Sequence, residues 1–286
     1  MQPHPDFDLQ VHTDAELEAA LGEALVERTT VHLWPLSSVE RLTTVSGRPF
    51  AYKAQREPTV EPEFFAAART TLLPGGYTLL QRDARQATVL IPWLTAPTLR
   101  DEGHDEAALV AQGRELVQEI GRIAGDVPVY RDLGTLPGWR GFVEETLGML
   151  LALVDSQTFP NIAPEEIAAL ARWAQTPDVL EIVDTTSQLL HGDLKAEHVF
   201  RTDEGWKLLD WQRPCRAPGD IDLALLLESQ KIDPGPYVAP AALGIRWFLL
   251  LHWACEAKTN LLPDLPFFEV WARQAIDAIR RTYDGG

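Results

Sequence analysis

The period of the apolar residues changes once along this chain, and that change restricts the folds open to it. Between residues 29 and 91, short runs rich in β-branched and aromatic residues alternate with turn residues: 29–36 (TTVHLWPL), 39–45 (VERLTTV), 49–54 (PFAYKA), 77–80 and 87–91. Ser46, Gly47 and Arg48 separate the second and third runs as a hairpin turn does. One helical stretch interrupts the series at 61–71 (EPEFFAAARTT), stopped by Leu73-Pro74-Gly75-Gly76. From Leu99 onward the apolar residues instead recur every three or four positions, at 106–124, 141–154, 164–173, 179–185, 221–228, 239–256 and 267–283. A β interlude at 188–190, 199–201 and 206–209, with Asp203-Glu204-Gly205 as its turn, is set among those helices.

The expected architecture is therefore α+β and bilobal. A small antiparallel-sheet N-lobe takes residues 1–93, opened by a helix at 14–25 with Thr13 or Asp14 as its cap, and a larger, mostly helical C-lobe takes 94–286. At 286 residues, two lobes sharing one cleft use the whole chain.

Charge and cysteine usage narrow the function classes. Lys plus Arg number 25 and Asp plus Glu 42, a formal net charge of −17. Such a field repels phosphate backbones and anionic headgroups, so neither nucleic acid nor a membrane is expected as a partner, whereas a cationic small molecule is attracted. Cys215 and Cys255 show neither a CxxC pair nor a metal-ligand spacing, and are expected to be core thiols. Residues 1–10 lack a basic stretch followed by an apolar run, and the most apolar stretch, 243–255, is too short to span a bilayer and contains Arg246 and His252. The expectation is a cytoplasmic protein, monomeric or homodimeric.

Only five of the 25 basic residues are lysines: Lys53, Lys195, Lys207, Lys231 and Lys258. A chain that otherwise prefers Arg keeps Lys where a compact charge must reach one oxygen rather than fork around a carboxylate. Lys195 lies in His191-Gly192-Asp193-Leu194-Lys195, between the apolar run QLL and the strand VFR, so its polar groups sit on a loop anchored at both ends. Asp210 ends the returning strand KLLD. Two carboxylates at strand ends suit a divalent-metal and proton-acceptor site, and the bland reading makes one a turn residue and the other a strand cap. The remaining histidines (His4, His12, His32, His104, His252) show no ligand spacing, and Trp247, Trp253 and Trp271 fall in helical segments as core residues do.

Taken in order, HGDLKAEH, a hairpin, LLDWQ and GDIDLA resemble the catalytic core of the aminoglycoside phosphotransferase and choline kinase-like small-molecule kinases, a family with the protein kinase-like fold. That family's pattern is HGD, four residues and Asn, then a strand ending in Asp, then Asp at a DLA-like helix start. His191, Asp193, Asp210 and Asp222 match it, and His198 stands where Asn is usual. The resemblance implies that Asp193 is the catalytic base, with Lys195 beside the transferring phosphoryl group. Asp210 is the implied metal ligand, with His198 secondary, and His191 and Asp222 support the loop. In the first lobe it implies that Lys53 holds nucleotide phosphates, with Glu63, or nearly as well Glu61, as its ion-pair partner. Ser37 and Ser38 fall in the phosphate-covering turn 36–39, which has no glycine, and Pro92, Trp93 and Leu94 in a hinge at 90–94 that reads the adenine edge.

The implied reaction moves the γ-phosphoryl group of ATP, or GTP, to a hydroxyl of a small-molecule acceptor with Mg2+, or Mn2+, as cofactor. The acidity suits a cationic acceptor such as an aminoglycoside or choline. Two rivals remain at this level: a nucleotide-binding pseudokinase, with His198 and the glycine-free turn as marks of lost catalysis, and a metal-dependent hydrolase built on His191, Asp193, His198 and Asp210.

Overall fold

The computed structural model describes residues 1–103 and 105–284. A short antiparallel pair, β1 (Gln2–Pro3) with β2 (Gln10–Val11), precedes the first helix, α1 (Asp14–Leu21). Thr13 caps α1 in a capping box with Glu16. The helix stops short of the expected residue 25 because Gly22 adopts the left-handed backbone (φ 71°) and its N–H closes on the Glu18 carbonyl. The chain then enters β3 (Leu25–Trp34), β4 (Ser37–Thr44), β5 (Pro49–Arg56), α2 (Glu61–Ala67), β6 (Thr78–Arg82) and β7 (Gln86–Pro92). The five strands β3 to β7 make one antiparallel sheet in the order β3-β4-β5-β7-β6. Alternation along the central β5 sorts its side chains by face. Tyr52 and Ala54 pack with Leu42, Leu90, Val11 and Leu17 in a buried core, so Lys53 and Gln55 go to the other face, where Glu61 of α2 meets both.

The chain continues through α3 (Glu106–Gly121), β8 (Arg131–Asp132), α4 (Leu136–Asp155), α5 (Pro164–Trp173), α6 (Pro177–Thr186) and β9 (Ser187–Leu190). It ends with the hairpin β10 (Val199–Thr202) and β11 (Gly205–Leu208), then β12 (Cys215–Pro218), α7 (Asp220–Ser229), α8 (Pro240–Glu256) and α9 (Phe268–Asp284). Strand β12, which the periodicity does not announce, pairs antiparallel with β9 and parallel with β8. No helix among the described residues is long and apolar enough to cross a membrane.

These elements form two compact units. The first comprises Met1–Gly103, Ile123–Tyr130 and Glu197–Arg213, and the second the remaining described residues. The division is not a single cut after Trp93. The β10–β11 hairpin belongs with the first unit because backbone bonds hold it there: Leu99 N–H to the Val199 carbonyl (2.8 Å), Arg201 N–H to Pro97 (3.1 Å) and Leu208 N–H to Leu72 (2.7 Å). Trp211 then stacks on Phe64 of α2 at 4.3 Å between ring centres.

The core of the second unit is aromatic. Trp139, Phe142, Trp173 and Phe248 surround one another at 5.5 to 6.2 Å between ring centres. Trp247, Trp253 and Trp271 are only half-buried, and Arg246 lies over the Trp247 ring at 4.2 Å. Cys215 and Cys255 are both free and buried. His252 is buried on Thr146, His12 meets the Tyr52 hydroxyl, and His104 lies outside the described residues.

Candidate active site

In the first unit, Lys53 is the centre of a three-residue charge cluster. Its Nζ lies 2.6 Å from Asp210 Oδ1 and 2.9 Å from Glu61 Oε2. Burial alone would lower the ammonium pKa, but the carboxylates of Asp210 and Glu61 outweigh it and hold it above its ordinary value. Glu61 is fully buried and fully used, accepting also from Gln55 Nε2 (2.6 Å) and from the Trp211 N–H (3.0 Å). A buried carboxylate with a cation and two further donors is the arrangement that compensates its desolvation.

Glu63, the first choice from sequence as the partner of Lys53, is elsewhere. It pairs with Arg82 of β6 at 2.8 Å. The helix explains the exchange: residues two apart on α2 point to nearly opposite sides, so if Glu61 faces β5, Glu63 cannot. Gln55 had no recognisable signal beyond its place two residues after Lys53 on the same face of a strand.

Asp210 follows the hairpin with a left-handed backbone (φ 72°), unusual for a residue with a side chain. Its second carboxylate oxygen, Oδ2, lies 3.7 Å from His198 Nε2. Leu209, just before it, donates its N–H to the His198 carbonyl at 3.0 Å, which fixes the two residues against each other. One carboxylate oxygen and one imidazole nitrogen at this separation fit a shared divalent cation.

The sequence-predicted phosphate-covering turn is displaced. Pro35 and Leu36 make the turn between β3 and β4, and Ser37 already pairs with Trp34 inside the ladder. Proline suits the first central position of a tight turn, which puts the bend at 34–37, two residues earlier than 36–39. Ser37 and Ser38 are consequently buried strand residues, and the Ser38 hydroxyl has no hydrogen-bond partner. At the other end of the sheet Pro92 closes β7. Pro92 has no N–H, and Trp93 donates its own to the Pro49 carbonyl at 3.1 Å, with Arg41 over its ring at 5.3 Å. Leu94 follows directly.

In the second unit, the segment between β9 and the Ala196–His198 turn carries the other predicted residues. His191, Leu194 and Ala196 are fully buried, while Asp193 and Lys195 are half-buried. The alternation turns Asp193 and Lys195 to the same side, where Lys195 Nζ meets Asp193 Oδ2 at 2.9 Å. Asp222, in the first turn of α7, is fully buried and accepts from two backbone donors, the His191 N–H (2.7 Å) and the Gly192 N–H (3.0 Å). Burial pushes its pKa up to about 7; the two N–H donors work against that rise and the charge of Asp193 adds to it.

Against this geometry the sequence can be compared with known proteins. Residues 60–254 match a family model described as the phosphotransferase enzyme family, APH. The chain belongs to that family. No curated protein matches it significantly by sequence. Among solved structures, a thermostable mutant of aminoglycoside phosphotransferase APH(4)-Ia, in ternary complex with ADP and hygromycin B, aligns at a TM-score of 0.60 and 15% identity, over 96% of this chain and 100% of that one. A choline/ethanolamine kinase family protein from Mesorhizobium loti aligns at 0.61 and 15%, over 94% and 93%. Spectinomycin phosphotransferase APH(9)-Ia, in complex with ADP and spectinomycin, aligns at 0.56 and 13%, over 96% and 99%. The α+β organisation expected from the change of period, and the kinase-like fold that the resemblance implied, are thus those of this phosphotransferase.

Proposed function

We propose that this phosphotransferase moves the γ-phosphoryl group of ATP to a hydroxyl of a small molecule. The observation that carries the reading is Lys53 held at once by Glu61, eight residues on, and by Asp210, 157 residues on, in one charge cluster. A cation so held is poised to exchange a carboxylate for phosphate oxygens, since catalysis of phosphoryl transfer rests mainly on positioning and charge neutralisation. Asp210 and His198 are the residues that would hold Mg2+, or Mn2+, the source of charge neutralisation at the phosphates. Ser37 and Ser38 offer hydroxyls to the nucleotide. Within 92–94, the Pro92 carbonyl and the Leu94 N–H are the groups we assign to the base edge, because Trp93 has committed its N–H to Pro49.

In the second unit, Asp193 accepts the proton of the acceptor hydroxyl. Lys195, now on Asp193, supplies charge to the group in transfer. The family neighbours bound to hygromycin B and spectinomycin, together with the formal charge of −17, favour a cationic acceptor. GTP in place of ATP is the alternative donor.

The test is a screen of hydroxylated amines with labelled ATP and Mg2+, comparing wild type with Asp193→Asn. Transfer should fall by about a thousandfold in the variant while ATP affinity is kept. Equal turnover by the two proteins would remove Asp193 from the chemistry.

A further inference from the structure

Helix α7 touches the Asp193 loop at two places, and only the first has a counterpart in the sequence motif. At its N-terminal end Asp222 binds the N–H groups of His191 and Gly192. At its C-terminal end the Ser229 hydroxyl accepts the N–H of Ala196 at 3.1 Å and donates to the Leu226 carbonyl, one turn back on its own helix, at 2.7 Å. Ser229 lies seven residues after Asp222, almost two full turns, so the two side chains leave the same face of α7 about 10 Å apart. The loop from Gly192 to Ala196 is thereby pinned at both ends to one rigid rod, with Asp193 and Lys195 between the pins.

We propose that Ser229 is a positioning residue for the Asp193 loop, and this rests on the proposed phosphoryl-transfer role of Asp193. The geometry favours a built contact over an incidental one. The Ala196 side chain is fully buried, so its N–H has little access to water and needs a protein acceptor. The Ser229 hydroxyl donates to the Leu226 carbonyl, which leaves an oxygen lone pair directed at Ala196. Ala196 also opens the turn that leads to His198, so a loop freed at this point would misplace the segment on both sides of it. Asp222 sets where the loop begins; Ser229 sets where it ends.

The experiment compares wild type, Ser229→Ala and Ser229→Thr in two measurements on the full chain. The first is hydrogen exchange over residues 192–198 with no nucleotide present. Ser229→Ala should raise exchange at the Ala196 amide at least tenfold, and Ser229→Thr, which keeps the hydroxyl, should restore protection. The second is turnover of labelled ATP. Ser229→Ala should lower kcat about tenfold with KM for ATP within twofold, Ser229→Thr should recover most of it, and Ser229→Ala, which leaves one buried N–H without its acceptor, should melt a few degrees below the other two while staying folded at the assay temperature. Unchanged Ala196 exchange in Ser229→Ala overturns the proposal whether or not the protein turns over ATP. Faster exchange with unchanged kcat overturns the positioning role and leaves Ser229 a structural contact. Absence of turnover in wild type counts against the proposed reaction, and the exchange result then decides the contact alone.

Discussion

Lys53 in the first unit and Asp222 in the second are secured by opposite means. In the first, Lys53 is balanced by two carboxylates, charge against charge. In the second, Asp222 is buried with no cation as its hydrogen-bond partner in either bond described, and is held by backbone N–H groups. The difference follows from what each must do. A charge pair can be reopened when a competing anion arrives, because Lys53 loses one partner and gains another. A carboxylate bonded to backbone fixes the path of the chain itself, and nothing that binds replaces it. The first arrangement suits exchange with a ligand, the second suits a scaffold.

Breaking the scaffold should do the most damage. Asp222→Ala leaves the buried His191 N–H and the part-buried Gly192 N–H without their acceptor, at up to ~1–3 kcal/mol each, and thermal unfolding should show a stability loss of about 2–6 kcal/mol. A variant that melts with wild type would mean that the loop holds its path without Asp222. Lys53→Met comes next. It leaves Glu61 and Asp210 without their cation, but Gln55 and the Trp211 N–H still donate to Glu61 and Asp210 is partly exposed, so the loss should stay at or below the ~3–5 kcal/mol of a broken buried pair. Its sharper readout is nucleotide affinity by calorimetry, expected to weaken at least tenfold. Adding Glu61→Gln to Lys53→Met should recover stability without recovering affinity, which separates the fold from the binding role.

The contrast also has a pH signature. Asp222 has a folded pKa of about 7, above the ordinary carboxylate value of 3.8. The folded state therefore holds the proton more tightly than the unfolded one. Stability from this group is complete below about pH 4 and is lost as pH rises towards 7, by at most ~1.4 kcal/mol per pH unit. Denaturant midpoints measured from pH 4 to 8 should show this downward trend for wild type relative to Asp222→Asn. A difference that grows in the opposite direction would refute the raised pKa. The smallest effect belongs to Glu63→Gln. Arg82 keeps Glu57 as a partner, so both stability, within ~0.5 kcal/mol, and nucleotide affinity should hardly change, while Glu61→Gln weakens that affinity.

Much of this was legible in the sequence, for reasons that can be named. The order of strands and helices follows from the change of period, and the loop residues follow from an ordered motif whose parts are close in sequence. Long-range choices were not legible. Whether Lys53 takes Glu61 or Glu63 depends on the rotation of a short helix against β5, and both glutamates suit a first helical turn equally. The early end of α1 was signalled by Gly22 but masked by helix-forming residues beyond it, among them Glu23, Ala24 and Leu25. Pro35 gave notice of the true turn, yet Ser37 and Ser38 looked more turn-like than the strand they occupy. Ser229 carries no motif, and its heptad spacing from Asp222 becomes meaningful only once α7 is known to run along the loop.

The route of the chain has a consequence for how the protein is made. The first unit is left after Gly103, re-entered at Ile123–Tyr130 and finished only by Glu197–Arg213. Its sheet is synthesised early, but Asp210 and Trp211, which complete the surroundings of Lys53 and Phe64, leave the ribosome more than a hundred residues later. At about 5–20 residues per second, that interval lasts several seconds or more. During it Lys53 has only Glu61 of its two carboxylates, and the Phe64 face lacks its aromatic cover. A fragment ending at Gly103 would carry the same defect permanently, so the nascent chain and the truncated domain should share one hazard: aggregation through a surface that the mature protein closes last.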